Sequence, residues 1–163
     1  GERSRVSIAN VQLAAVAMLA SRRDQFSRDQ QLTTDRVRAD ALATVGRDND
    51  ALAIYEQLAK ANPGDADVQR GYAKQLLSSA DSSRLKQALD QWRLVAARVK
   101  PRSGAWYEAK YSVAMAQYKL DDRAGAAALL RYMLQTPPGM KGTEWESAYA
   151  ELLRKCDQSA SKR

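Results

Sequence analysis

The side chains of this chain best suited to chemistry are one thiol, a few paired carboxylates and a scatter of guanidinium groups. Cys156 follows Arg154 and Lys155, and adjacent cations can lower a thiol's pKa and make it a nucleophile. Its helical spacing with Leu152 and Tyr149 suits a half-buried structural cysteine instead. Asp48 with Asp50, and Asp121 with Asp122, are carboxylate pairs of the kind used in acid–base work. Both pairs stand where a turn enters a helix pattern, so they read as helix caps. The chain has no histidine, which removes the usual general base and most nucleophile triads. A single cysteine excludes an internal disulfide, and with no histidine it excludes a zinc site of the His/Cys type. Gly139 and Gly142 lack the rest of a phosphate-binding pattern. No catalytic residue, cofactor site or metal site is assigned, and the chain reads as non-enzymatic.

The 163 residues are 45% hydrophobic, enough for one domain with a true core. Alanine is abundant and aromatic residues are only 7%, which favours helix over sheet. The net charge of +7 raises the question of nucleic acid, an anionic membrane or an acidic protein partner. The cations are interleaved with acids, as in Arg47-Asp48-Asn49-Asp50, and form no long basic run. Nucleic-acid binding is therefore the alternative reading rather than the leading one. Trp92, Trp106, Tyr107, Tyr132, Trp145 and Tyr149 follow helical packing positions and are expected in the core, not as base-stacking platforms.

A helix is expected from about Arg5 to Gln30. Its first half is apolar nearly all round, which predicts burial on more than one side. The longest apolar stretch, Val6 to Ala20, falls short of a membrane span and only faintly resembles a signal peptide. Gly1 reads as a residue left by tag removal, with the natural start further upstream. Leu32-Thr33-Thr34-Asp35 signals the next helix start, and Gly46 its left-handed end. Asp48 or Asn49 then caps a helix through Ala61, and Asn62-Pro63-Gly64-Asp65 is a strong turn. Further helices are expected over about 65–77, 84–99, 105–120 and 121–135. A polar loop at Ser78–Ser83 and turns at Pro101 and Pro138 separate them. Thr143-Glu144-Trp145-Glu146 reads as a capping box before a last helix.

These helix pairs are weak copies of one another. Ala39, Ala73 and Ala114 share one place in the first helix, and Ala51, Ala88 and Ala126 share one in the second. Pro63, Pro101 and Pro138 close the units. Steps of 34 to 41 residues indicate a stacked helical-repeat array. The frame resembles the tetratricopeptide repeat family. The fullest copy is Ala39, Gly46, Ala51, Tyr55 and Pro63. The second has Tyr72-Ala73, Ala88, Trp92 and Pro101, and the third Trp106, Ala114, Tyr118, Ala126, Leu130 and Pro138.

The resemblance implies an all-α, right-handed superhelical stack of antiparallel helix pairs. Residues 1–31 would be an N-terminal helix packing on the repeats. Residues 32–156 would hold three repeats plus a capping helix, and 157–163 a disordered tail. It also implies a protein or peptide partner held by exposed first-helix residues on a concave face. Here those are Arg36 and Asp40, then Arg70 and Lys74, then Glu108, Tyr111, Met115 and Tyr118. Such a groove would suit a peptide with acidic and apolar side chains. The same charges would also serve as ordinary solvated helix faces. The carboxylate-gripping subclass of the family is not supported, because its asparagines are missing and Glu108 would repel a carboxylate. Self-association through the N-terminal helix is a further possibility. The alanine and arginine richness resembles a bacterial protein and leaves the compartment open.

Overall fold

The structure, a computed structural model, describes residues 1–135 and 143–160. Every regular element among them is helical. The chain divides into two compact units, Gly1–Ser78 and Ser79–Arg163. Within each unit the helices pack on their neighbours in the chain.

The first unit begins with α1 (Glu2–Leu19), which tightens into a 3-10 turn (Ala20–Gln25). Then come α2 (Arg28–Thr44), α3 (Asp48–Ala61) and α4 (Ala66–Ser78). The expected helix over 5–30 is thus interrupted, and the next one starts earlier than Leu32–Asp35 would place it. The cause is a capping box at Ser27. Its hydroxyl accepts from the Gln30 amide at 3.2 Å, and the Ser27 amide donates to Gln30 Oε1 at 2.8 Å. Phe26 is extended (φ −84°, ψ 141°), so the chain turns there. Thr34 lies inside α2, its hydroxyl donating to the Gln30 carbonyl. Asp35 receives both guanidinium nitrogens of Arg23, at 2.7 and 2.6 Å. This fork ties the 3-10 turn to α2.

The expectation that α1 is buried on several sides is corrected. Val6, Ala9, Leu13 and Val16 share the stripe that packs, and of these only Ala9 is fully buried. On the far side Ile8 is 60% exposed, Val11 69% and Met18 79%. The span Glu2–Gln25 is also long and apolar enough, by length and composition, to cross a membrane. Ser7, Asn10 and Gln12 punctuate this span, so it holds no uninterrupted apolar run of that length.

The caps after α2 follow the local chemistry. Gly46 has φ +80°, a left-handed value that glycine adopts without strain, and the Arg47 amide reaches back to the Leu42 carbonyl at 2.8 Å. Asp48 is the first residue of α3 and not its cap, since Arg47 holds the capping place and pairs with Asp50. Asp65 caps α4, accepting from the amides of Asp67 and Val68. The core of this unit gathers Ala39, Tyr55, Leu58, Ala59 and Val68.

The second unit comprises α5 (Ser82–Arg98), α6 (Gly104–Lys119), α7 (Arg123–Gln135) and α8 (Glu146–Ala160). Asp81 caps α5, so Ser82 and Ser83 belong to the helix rather than the loop. Ser103 caps α6 and Asp122 caps α7. The turn expected at Pro138 lies outside the described residues. Asp157–Ala160, expected as disordered tail, continue α8, and Asp157 is held by an ion pair from Arg131 of α7. The core here joins Ala114, Ala126, Ala127, Leu130, Met133, Tyr149, Leu152 and Cys156.

All six repeat alanines, Ala39, Ala51, Ala73, Ala88, Ala114 and Ala126, have 0% exposure. Complete burial at all six is what small residues at helix-packing positions require. Trp92 and Tyr149 are fully buried, and Trp106, Tyr107 and Trp145 are half-buried. Tyr132 departs from the expected core placement: it is 63% exposed, on the side of α7 opposite Ala126, Leu130 and Met133.

Candidate functional site

The first unit draws several of the candidate residues into one polar network. Arg36 on α2 and Arg70 on α4 both approach a single carboxylate, Asp67, at 3.6 and 3.1 Å. Asp67 is 54% exposed, so this shared anion remains open to solvent. Tyr55 of α3 donates its hydroxyl to Asp40 at 2.7 Å. Burial, and next the bond to Asp40, push the Tyr55 phenol well above its usual range. Arg36 and Arg70 are thereby linked through Asp67, and Asp40 is held by Tyr55, which the sequence places as a repeat packing residue and not in the groove. Lys74 stands exposed one turn beyond Arg70 on α4.

Gly71 makes this arrangement possible. A Cβ there would lie 2.7 Å from Tyr55 Oη, and nearer still to the ring carbons Cε1 and Cζ. The phenol crosses α4 at the one position without a side chain, and so reaches α2. A glycine inside a helix pattern is a weak sign of such close approach. Asp67 also had a readable signal, its three-residue spacing from Arg70.

In the second unit Glu108, Tyr111, Met115 and Tyr118 share one face of α6, at steps of three and four residues. None is fully exposed. Tyr111, Met115 and Tyr118 pack against the α7–α8 core. Tyr111 lies 5.8 Å from the Trp145 ring and 5.5 Å from the Tyr149 ring, in tilted contacts. Tyr149 donates its hydroxyl to the Tyr107 carbonyl at 2.6 Å. Arg123 stacks on Tyr118, and Lys110 on Trp106. The expectation of exposed groove residues on α6 is corrected: Glu108, Tyr111, Met115 and Tyr118 are all half-buried, and Tyr111 packs on Tyr149 of α8.

Cys156 is 2% exposed, and burial raises its thiol pKa, with Asp157 adding to the shift. The cation expected to activate it, Lys155, is paired with Glu151 at 2.8 Å. A buried thiol of raised pKa is a poor nucleophile. Among the described residues no three His, Cys, Asp or Glu side chains gather as metal ligands would. A shallow cleft of about 330 Å³ at the start of α2 is lined by Phe26, Asp29, Gln30, Thr33 and Thr34 and contains none of the eight candidate residues.

The fold and the two sites define an all-helical chain with polar and aromatic faces on its helices. No known protein family, curated protein or solved structure matches it.

Proposed function

We propose that this chain is a non-catalytic protein-interaction module built from tetratricopeptide-like repeats in a right-handed superhelical stack. Support for the architecture comes from the six fully buried repeat alanines and the pairing of chain-adjacent helices. One observation carries the binding reading. Two guanidinium groups from different helices share a single, half-exposed carboxylate. A partner's Asp or Glu can join or replace Asp67 there at little cost, because the fork donors are already oriented. Lys74 adds positive charge to the same helix. Tyr111, Met115 and Tyr118 offer half-buried apolar area on α6 for side chains of a partner.

The test is selection from a random peptide library followed by titration of the enriched peptides. Peptides with Asp or Glu next to apolar residues are expected. The double variant Arg36→Ala/Arg70→Ala, checked for unchanged helicity, should bind them at least about tenfold more weakly, as expected for lost charge-assisted bonds. Equal affinity of the variant and the unaltered chain overturns the assignment.

A further inference from the structure

The outer face of α1 carries four large exposed hydrophobic side chains, Ile8, Val11, Met18 and Leu19, that the proposed function does not use. Ile8, Val11, Ala15 and Met18 recur at steps of three and four, so they form one stripe along the helix. That stripe lies opposite Val6, Ala9, Leu13 and Val16, which face α2. Leu19 extends it and is 40% exposed. Arg3 and Arg5 are at one end and Arg22 at the other; all three are exposed. None of the three pairs with an acid among the described residues, whereas Arg23 is consumed by Asp35.

We propose that α1 is an interfacial helix that lays this stripe into an anionic lipid surface. An apolar strip flanked by unpaired arginines matches a bilayer boundary, where acyl chains take the apolar side chains and headgroup phosphates take the guanidinium groups. A second copy of the chain fits less well. Antiparallel pairing through the stripe sets Arg3 and Arg5 against Arg22 of the other copy, and parallel pairing sets each arginine cluster against itself. The four large side chains also offer only roughly half of the about 800 Å² per partner found in stable interfaces. The helix lies in the plane of the surface rather than across it. Its inner stripe and the Arg23–Asp35 fork hold it to α2, which is rich in charge. Eighteen residues give a contact about 27 Å long.

The experiment is flotation of the full chain with vesicles of equal parts phosphatidylglycerol and phosphatidylcholine, and with phosphatidylcholine alone. Binding to the anionic vesicles is expected, with at least about tenfold weaker partition onto neutral ones. Val11→Asp/Met18→Asp alters only exposed side chains, so it should keep the native melting curve and lose binding by at least about tenfold. Arg3→Gln/Arg5→Gln/Arg22→Gln should bring anionic binding down to the neutral level. The proposal is overturned if the chain stays unbound with anionic vesicles, or if the aspartate variant floats as well as the unaltered chain. A dimer in sedimentation velocity that the aspartate variant dissociates would assign the stripe to a second copy instead. Retention after an alkaline carbonate wash would refute the in-plane geometry.

Discussion

Replacing Gly71 by alanine puts two opposite effects in competition at one position. Helix propensity alone favours the change: alanine in the interior of α4 should stabilise by about 1 kcal/mol relative to glycine. The structure opposes it, because the new methyl group would meet the Tyr55 ring at well under contact distance. Tyr55 is only 2% exposed and anchored to Asp40, so its ring has little room to yield. Overpacking of this kind costs about 1–3 kcal/mol, and a displaced phenol also forfeits a hydrogen bond to a charged acceptor, about 1.5–3 kcal/mol. The opposing effects sum to a net destabilisation of about 1.5–5 kcal/mol. In a unit of this size that lowers the melting temperature by about 5 °C or more. Thermal and urea unfolding followed by circular dichroism measures it. The same substitution in a Tyr55→Leu background, where the phenol is gone, should be close to neutral or stabilising. A rise in melting temperature for Gly71→Ala in the otherwise unaltered chain would refute the reasoning.

Two further outcomes follow from burial. Tyr55 and Tyr149 both have phenol pKa values raised above 10.0, chiefly by desolvation. Below that value both folded and unfolded chains hold the proton and stability is flat. Above it only the unfolded chain releases the proton, so stability should fall by about 1.4 kcal/mol per group for each pH unit. Melting temperatures constant through neutral pH and dropping above about pH 10 are expected, and a flat profile to pH 12 would contradict the assignment. A chain ending at Gly142 lacks Tyr149, Leu152 and Cys156, which are 0%, 1% and 2% exposed. At about 1.5–3 kcal/mol per large buried side chain, that loss rivals the whole stability of a small domain. The truncated chain should show an early melting transition, and an unchanged curve would show that α8 contributes little.

Legibility tracked how local the physics was. The caps at Asp65 and Asp122 and the stop at Gly46 could be read because a few adjacent residues decide them. The break at Phe26–Ser27 was equally local, but the apolar and charged run around it suggested one continuous helix and masked the Ser27–Gln30 capping box. Burial was readable for the repeat alanines, whose recurrence encodes mutual contact. For α1 the pattern misleads, because hydrophobicity without a strong one-sided pattern predicts surrounding protein while the structure leaves its outer side chains exposed. The helix that carries each candidate residue can be read from local pattern, yet its environment depends on contacts distant in sequence. No spacing rule announces that Tyr55 crosses at Gly71, or that Trp145 and Tyr149 come to rest on Tyr111.

The pairing of each helix with its chain neighbours also bears on how the chain reaches its structure. The extensive pairings within a unit all join helices adjacent in the chain, and α6 only grazes α8 across one intervening helix. Closing such contacts requires only short chain segments to meet, so the entropic barrier to the first docking events is small. Folding on the millisecond scale or faster is the corresponding regime for helical chains of this kind. The α2–α3 pair can dock as soon as Ala61 has been synthesised, well before the second unit exists.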